Sequence, residues 1–192
     1  GREQLIAKLP LIENAHVVDL GGGTGRNIEY FGERLSRIDR YDVVDLCEPM
    51  LERARQRGRV FPQIRAIHGD ATGWQPDRPV DVVILSYALT MIPNWRAAIV
   101  NALAMLKPGG TLGVVDFYVA AERPLAGCSR HSWLTRKFWP AWFGHDGVRL
   151  DSEQLPTLCS VFKTCELTES CAPVPYLSLL RVPYYAYIGR KP

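Results

Sequence analysis

The stretch Ala15-His16-Val17-Val18-Asp19-Leu20-Gly21-Gly22-Gly23-Thr24-Gly25 decides the fold. A run of small and β-branched residues flows into a glycine cluster, which is how a buried parallel strand meets a tight turn before a helix. Glycines in such a turn take positive φ and let the backbone come close to a ligand. The helix start that follows offers free N–H groups to a negative group. From Asp19 to Gly25 the pattern is D-x-G-x-G-x-G. A dinucleotide loop requires G-x-G-x-x-G, and reading from Gly21 or Gly23 puts Arg26 or Ile28 where the third glycine belongs, so NAD fits poorly.

Outward from this loop the chain alternates between strand and helix signals. Before it, Arg2 to Leu9 carries Leu5, Ile6 and Leu9 as a short helical stripe ended by Pro10. After it, helices are predicted over Arg26–Leu35, Met50–Arg57 and Asn94–Leu106, the last stopping at Lys107-Pro108-Gly109-Gly110. Strands are predicted over Tyr41–Leu46, Ile64–His68, Val80–Leu85 and Thr111–Tyr118, and two final ones over Phe162–Glu169 and Tyr184–Gly189. Strands alternating with helices in this way indicate an α/β fold with a parallel sheet and right-handed crossovers. Ligands on such sheets sit at the carboxyl ends of the strands.

Length and composition agree with one domain over residues 1–192: 47% of the chain is hydrophobic, enough for a substantial core. The net charge of +3 is too small to imply a nucleic-acid partner. The basic run Arg53, Arg55, Arg57, Arg59 and Arg65 reads as a solvated helix face and turn. No stretch approaches the roughly 18 to 20 apolar residues of a membrane span, and no charged-then-apolar leader is seen, so a cytoplasmic location is expected. Five cysteines without a C-x-x-C pair read as reduced thiols, and no metal site is expected.

The spacing of acids gives the loop its chemistry. Asp45 ends the second strand twenty residues after Gly25, where a carboxylate can accept both hydroxyls of a ribose. Asp70 ends the third strand, where it can accept an adenine amino group, and Ser86 and Tyr87 close the fourth. This set resembles the class I S-adenosylmethionine-dependent methyltransferases: Asp19 through Gly25 look like that family's glycine loop, Asp45 its ribose acid, Gly69-Asp70-Ala71 its adenine segment and Lys107-Pro108-Gly109-Gly110 its turn before strand five. The resemblance implies a three-layer Rossmann-like sandwich, with a mostly parallel seven-stranded sheet and an antiparallel last strand. It implies S-adenosylmethionine as cofactor, held by Asp19, Gly21, Gly22, Gly23, Thr24, Gly25, Asn27, Asp45, Leu46, Met50, Asp70, Ala71, Ser86 and Tyr87.

The segment from about 121 to 157 reads as an aromatic helical insertion after strand five. Phe138, Trp139, Trp142 and Phe143 recur at helical offsets, either as a packed helix or as a lid whose rings hold an alkylammonium or meet acyl chains. Val44-Asp45-Leu46-Cys47-Glu48-Pro49, Gly113-Val114-Val115-Asp116-Phe117-Tyr118-Val119, Arg130-His131-Ser132-Trp133 and Pro183-Tyr184-Tyr185 are similar to the methyltransferase part of betaine-lipid synthases. That resemblance implies N-methylation of the homoserine head group of a diacylglycerol ether lipid, with peripheral membrane contact. Tyr118, His131, Trp133, Trp139 and Tyr184 are then the substrate candidates. An amine must lose a proton before it is methylated, and the candidate acceptors are Tyr87, Asp116 and His131. The rivals are methylation of a soluble metabolite at nitrogen or oxygen and a non-catalytic cofactor-binding module. An RNA methyltransferase is disfavoured because Ser86-Tyr87-Ala88-Leu89 stands where N-P-P followed by an aromatic residue would be.

Overall fold

Strand β1 (Ala15–Leu20) is buried at every position, as a central parallel strand must be. The computed structural model, which describes residues 1–174 and 177–192, pairs β1 in parallel with β2 (Ile38–Asp45) on one side and β4 (Val80–Ser86) on the other. Next to β2 runs β3 (Ile64–His68), and next to β4 runs β5 (Leu106–Phe117), both parallel to their neighbours. Beyond β5 lies β7 (Leu177–Arg190), antiparallel to β5 and to the edge strand β6 (Lys163–Val174). The order is β3-β2-β1-β4-β5-β7-β6, a seven-stranded sheet with its last strand antiparallel.

Alternate residues of each strand feed two cores. Val18, Leu20, Val83 and Leu85 pack one way against α3 (Trp95–Met105) and α5 (Gln154–Val161). Val17, Val43, Val82 and Ile84 pack the other way against α1 (Arg2–Lys8) and α2 (Glu48–Gly58). Helices on both faces make the three layers of a Rossmann-like fold. The direction of winding reverses between β1 and β4, so the crevice for a ligand opens where Leu20, Asp45 and Ser86 end their strands.

Several boundaries differ from expectation for identifiable reasons. The helix expected over Arg26–Leu35 is two 3-10 stretches, Arg26–Tyr30 and Gly32–Arg37, because Gly32 sits at φ +53° and interrupts the α-helical path. The last two strands run well past Phe162–Glu169 and Tyr184–Gly189, since they pair with each other as a long antiparallel ladder. Within the insertion, α4 (Trp133–Gly144) begins where Ser132 Oγ accepts the Thr135 N–H at 3.1 Å, an N-cap. The basic run serves the fold: Arg55 pairs with Glu48 and Glu52, while Arg57 donates to the Thr24 carbonyl at 2.7 Å and pairs with Glu29.

Candidate functional site

The glycine loop follows β1 with Gly21 at φ +65°, Gly23 at +55° and Gly25 at +69°, a region that side chains with a Cβ rarely enter. Its backbone is held from both ends. Gly21 N–H donates to the Val44 carbonyl at 2.8 Å, and Gly23 N–H donates to Asp45 Oδ2 at 2.8 Å. The other Asp45 oxygen accepts the Cys47 N–H at 2.8 Å. These two bonds fix the carboxylate plane at the mouth of β2 and leave lone pairs for a diol.

The loop, the ends of β2 and β3 and the turn after β4 surround a cleft of about 700 Å³. Gly21, Gly22, Gly23, Thr24, Asn27, Asp45, Leu46, Met50, Asp70, Ala71, Ser86 and Tyr87 line it. Asp70 Oδ1 accepts both the N–H and the hydroxyl of Thr72 at 2.8 Å, which holds this carboxyl below its ordinary range and leaves its second oxygen for a donor in the cleft. Tyr87 sits at φ +54°, strained for a bulky residue, with its phenol pushed up to about 12 by burial. Its ring meets Phe117 at 4.8 Å, and Phe117 in turn stacks on Phe143 of α4 at 5.3 Å.

Two members of the expected cofactor set lie elsewhere. Gly25 turns toward Ile28, Ala54 and Val43 and closes the packing of loop on helix. Asp19 is fully buried beneath the loop, where it accepts the Tyr41 hydroxyl at 2.9 Å and the Asn27 amide. A Cβ on Gly22 would come within 2.8 Å of the Asp19 carboxyl, so the acid props the loop from below.

Burial pushes the Asp19 carboxyl up from 3.8 to about 6, against the pull of its two donors. A carboxyl raised in the folded state stabilises the fold fully below its unfolded pKa and loses that contribution as pH rises through the folded one. The stability of the wild type relative to Asp19→Asn is therefore expected to fall by about 3 kcal/mol between pH 3 and pH 8. Urea denaturation of both proteins across that range measures it, and a difference that stays flat with pH refutes the buried-acid account.

The substrate and proton-acceptor candidates lie off the cleft lining, apart from Tyr87. Asp116 is fully buried, raised to about 6 by burial, and spends its oxygens on the Thr90 hydroxyl (2.7 Å), the Thr90 N–H (3.2 Å) and the Phe117 N–H (2.8 Å). It anchors the turn after β4. His131 accepts the Ala120 N–H on Nδ1 at 3.0 Å, and burial lowers its pKa. Tyr118 meets the His131 ring at a tilt, 4.9 Å between centroids, and donates to Glu169, facing a separate small cavity. Tyr184 donates to Gln4 at 3.1 Å, tying β7 to α1. Trp139 packs into a small core with Val119, Leu150 and Val182, while Trp133 is exposed.

The cleft also contains residues that sequence reasoning missed. Arg2 Nε donates to Ser86 Oγ at 2.8 Å and its guanidinium lies 4.9 Å over the Tyr87 ring. Arg26 lines the same cleft, as do Met91 and Asn94 of the turn after β4. The strand-end rule pointed toward that turn, but nothing local marked Arg2, which only the docking of α1 brings there.

The cleft suits S-adenosylmethionine. Asp45 and Asp70 line it at the ends of β2 and β3, as the carboxylate acceptors that a ribose diol and an adenine amine would require. Asn27 Oδ1 is buried without a partner while its Nδ2 is committed to Asp19, leaving an acceptor for the cofactor's ammonium. Residues 17–110 match the family described as "Methyltransferase domain". Over 110 residues the chain is 34% identical to the trans-aconitate 2-methyltransferase of Azoarcus sp. (strain BH72), an alignment covering 57% of this chain and 42% of that protein. The chain thus spans less than half the length of the curated relatives it matches. The fold superposes on the S-adenosylmethionine dependent methyltransferase from Mesorhizobium loti with a TM-score of 0.71 at 22% identity, covering 100% of this chain and 98% of that one. It superposes equally, at 0.71 and 16% identity over 100% and 84%, on the N-methyltransferase NodS from Bradyrhizobium japonicum WM9 in complex with S-adenosyl-l-homocysteine.

Fold and cleft define a Rossmann-like α/β domain whose strand ends surround a ligand site, and residues 17–110 of it carry the match to the methyltransferase-domain family.

Proposed function

We propose that the domain methylates a small acceptor that carries a carboxylate, and that a carboxylate oxygen of this acceptor takes the methyl group. The observation that carries this is the pair of guanidinium groups lining the cleft, Arg2 and Arg26, neither of which forms an ion pair among the described residues. The cofactor brings one carboxylate, which leaves a second cation for the acceptor. S-adenosylmethionine, when bound, supplies a methyl group on a positively charged sulfur, ready for in-line displacement.

What the chain's own residues contribute is alignment and a dry wall. Asp45 and Asp70 fix the nucleoside end. Asn27 and one guanidinium hold the amino-acid end. Tyr87, pinned by its strained backbone and by Phe117, shields the transfer point from water. A carboxylate oxygen needs no proton removed before it reacts, and this agrees with a cleft whose phenol stays protonated up to about 12. The name of the relatives, trans-aconitate 2-methyltransferase, supports a polycarboxylate acceptor.

A second reading is N-methylation of a homoserine-type head group, the acceptor suggested by resemblance to the methyltransferase part of betaine-lipid synthases. Homoserine also bears a carboxylate for the same guanidinium, but its amine requires a proton acceptor that Asp116 and His131, committed elsewhere, do not supply.

Labelled-methyl transfer to trans-aconitate, free homoserine and diacylglyceryl homoserine tests both. Transfer to trans-aconitate is expected, with KM for the acceptor rising about tenfold in Arg2→Met or Arg26→Met while cofactor affinity holds in the same variant. Transfer confined to the homoserine compounds would establish the second reading, and equal turnover of neutral amines would sink both.

A further inference from the structure

Helix α4 turns the wrong side outward. In a surface helix the apolar stripe faces the core and the polar face meets water. Here the exposed positions are Trp133, Leu134, Lys137, Phe138, Ala141 and Trp142, at i, i+1, i+4, i+5, i+8 and i+9, which form one continuous face. Trp133 is 67% exposed, Leu134 66% and Trp142 43%. The opposite side is already satisfied: Trp139 lies in its core and Phe143 stacks on Phe117. Of the outward rings, Phe138 leans on Trp139 and Trp142, yet Trp133, Leu134 and Trp142 still keep much of their surface in water.

The charge on this face has one sign. Lys137 sits on it, exposed, and the helix itself contains no acid. Tryptophans beside basic residues on a short helix suit the boundary between lipid head groups and acyl chains, where the rings are half-immersed and the cations meet anionic phosphates. A second copy of the chain suits it less, because a two-fold contact centred on this face would bring Lys137 against its own like charge.

We propose that the outward face of α4 seats the domain on an anionic bilayer surface, lying in the head-group plane. The row Phe143–Phe117–Tyr87 connects the inner side of this helix to the cleft, so docking would bring the cleft close to the membrane. The docking does not depend on which acceptor is methylated.

Sedimentation with phosphatidylcholine vesicles, with and without phosphatidylglycerol, tests this in the absence of any acceptor. Binding is expected to favour the phosphatidylglycerol vesicles by about tenfold at low salt, to weaken as salt rises, and to shift tryptophan emission to shorter wavelength. The triple variant Trp133→Ser/Leu134→Ser/Trp142→Ser is expected to lose about tenfold of that binding, and Lys137→Glu alone a smaller part. Unchanged cofactor affinity in the variants shows that they fold. Three results would overturn the proposal: no preference for anionic vesicles, variants that bind like the wild type, or a wild-type dimer in analytical ultracentrifugation that the triple variant disperses. Acceptor turnover without vesicle binding would leave the methyl-transfer reading standing, and vesicle binding without turnover would leave this one.

Discussion

Asp45→Ala is expected to weaken S-adenosylmethionine binding at least a hundredfold while leaving the fold intact. The carboxylate sits at the end of β2 with one oxygen on the Gly23 N–H and the other on the Cys47 N–H. Each bond to a ribose hydroxyl is charge-assisted, worth about 1.5 to 3 kcal/mol, and two of them convert to a loss of about two to four powers of ten. The truncation has a second cost, since the Gly23 N–H loses the acceptor that holds the loop in its ligand-ready shape. Asp45 is only half-buried, so the stability of the domain has little stake in it. Asp45→Asn separates the two contributions: the amide still offers an oxygen to the loop N–H groups but lacks the charge, so an intermediate loss is expected. Calorimetric titration with S-adenosylmethionine reads all three proteins. An affinity within threefold of wild type for Asp45→Ala would remove the ribose role.

Much of this site is legible before any coordinates, because its chemistry is local. A glycine loop must follow a buried strand, and acids must stand at strand ends, so the loop, Asp45 and Asp70 are written as short patterns at fixed spacing. The five parallel strands are equally plain, since central strands are continuous apolar runs. What the chain does not announce is whatever depends on a distant partner. Asp19 is part of the loop's signature, yet its side chain faces the interior because Tyr41, twenty-two residues on, donates to it from β2. Arg2 reaches the cleft only because Leu5 and Ile6 dock α1 against the sheet. Asp116 and His131 look like free titratable groups in the sequence but are consumed by backbone N–H groups from other segments. The aromatic helix is the sharpest case. Periodicity finds a stripe on α4, but the stripe divides into an inner side, where Trp139 and Phe143 pack on the domain, and an outer side, where Phe138 and Trp142 meet each other and stay partly exposed. Only the surrounding structure says which is which.

Gly21→Val is expected to cost about 3 kcal/mol of stability and to abolish detectable cofactor binding. Two independent obstacles meet at this position. The backbone sits at φ +65°, where a β-branched side chain is a steric outlier worth about 1 to 2 kcal/mol. A Cβ built there would also stand 2.8 Å from the Ala88 Cβ, a contact real structures do not show. Ala88 has no rotamer with which to retreat, because its Cβ is rigidly attached to the turn that Asp116 pins through Thr90. Relief must therefore come from moving the glycine loop itself, away from the Val44 carbonyl that its N–H contacts and off the geometry that Asp45 requires. Displacement and strain add, and overpacking contributes about 1 to 3 kcal/mol by itself. Gly21→Ala keeps the φ cost and the same first contact with a smaller side chain, so a milder loss on the same path is expected. Denaturant unfolding and calorimetry on the pair measure both effects. If valine is tolerated with wild-type affinity, the loop is not held as tightly between β2 and the turn after β4 as its contacts require.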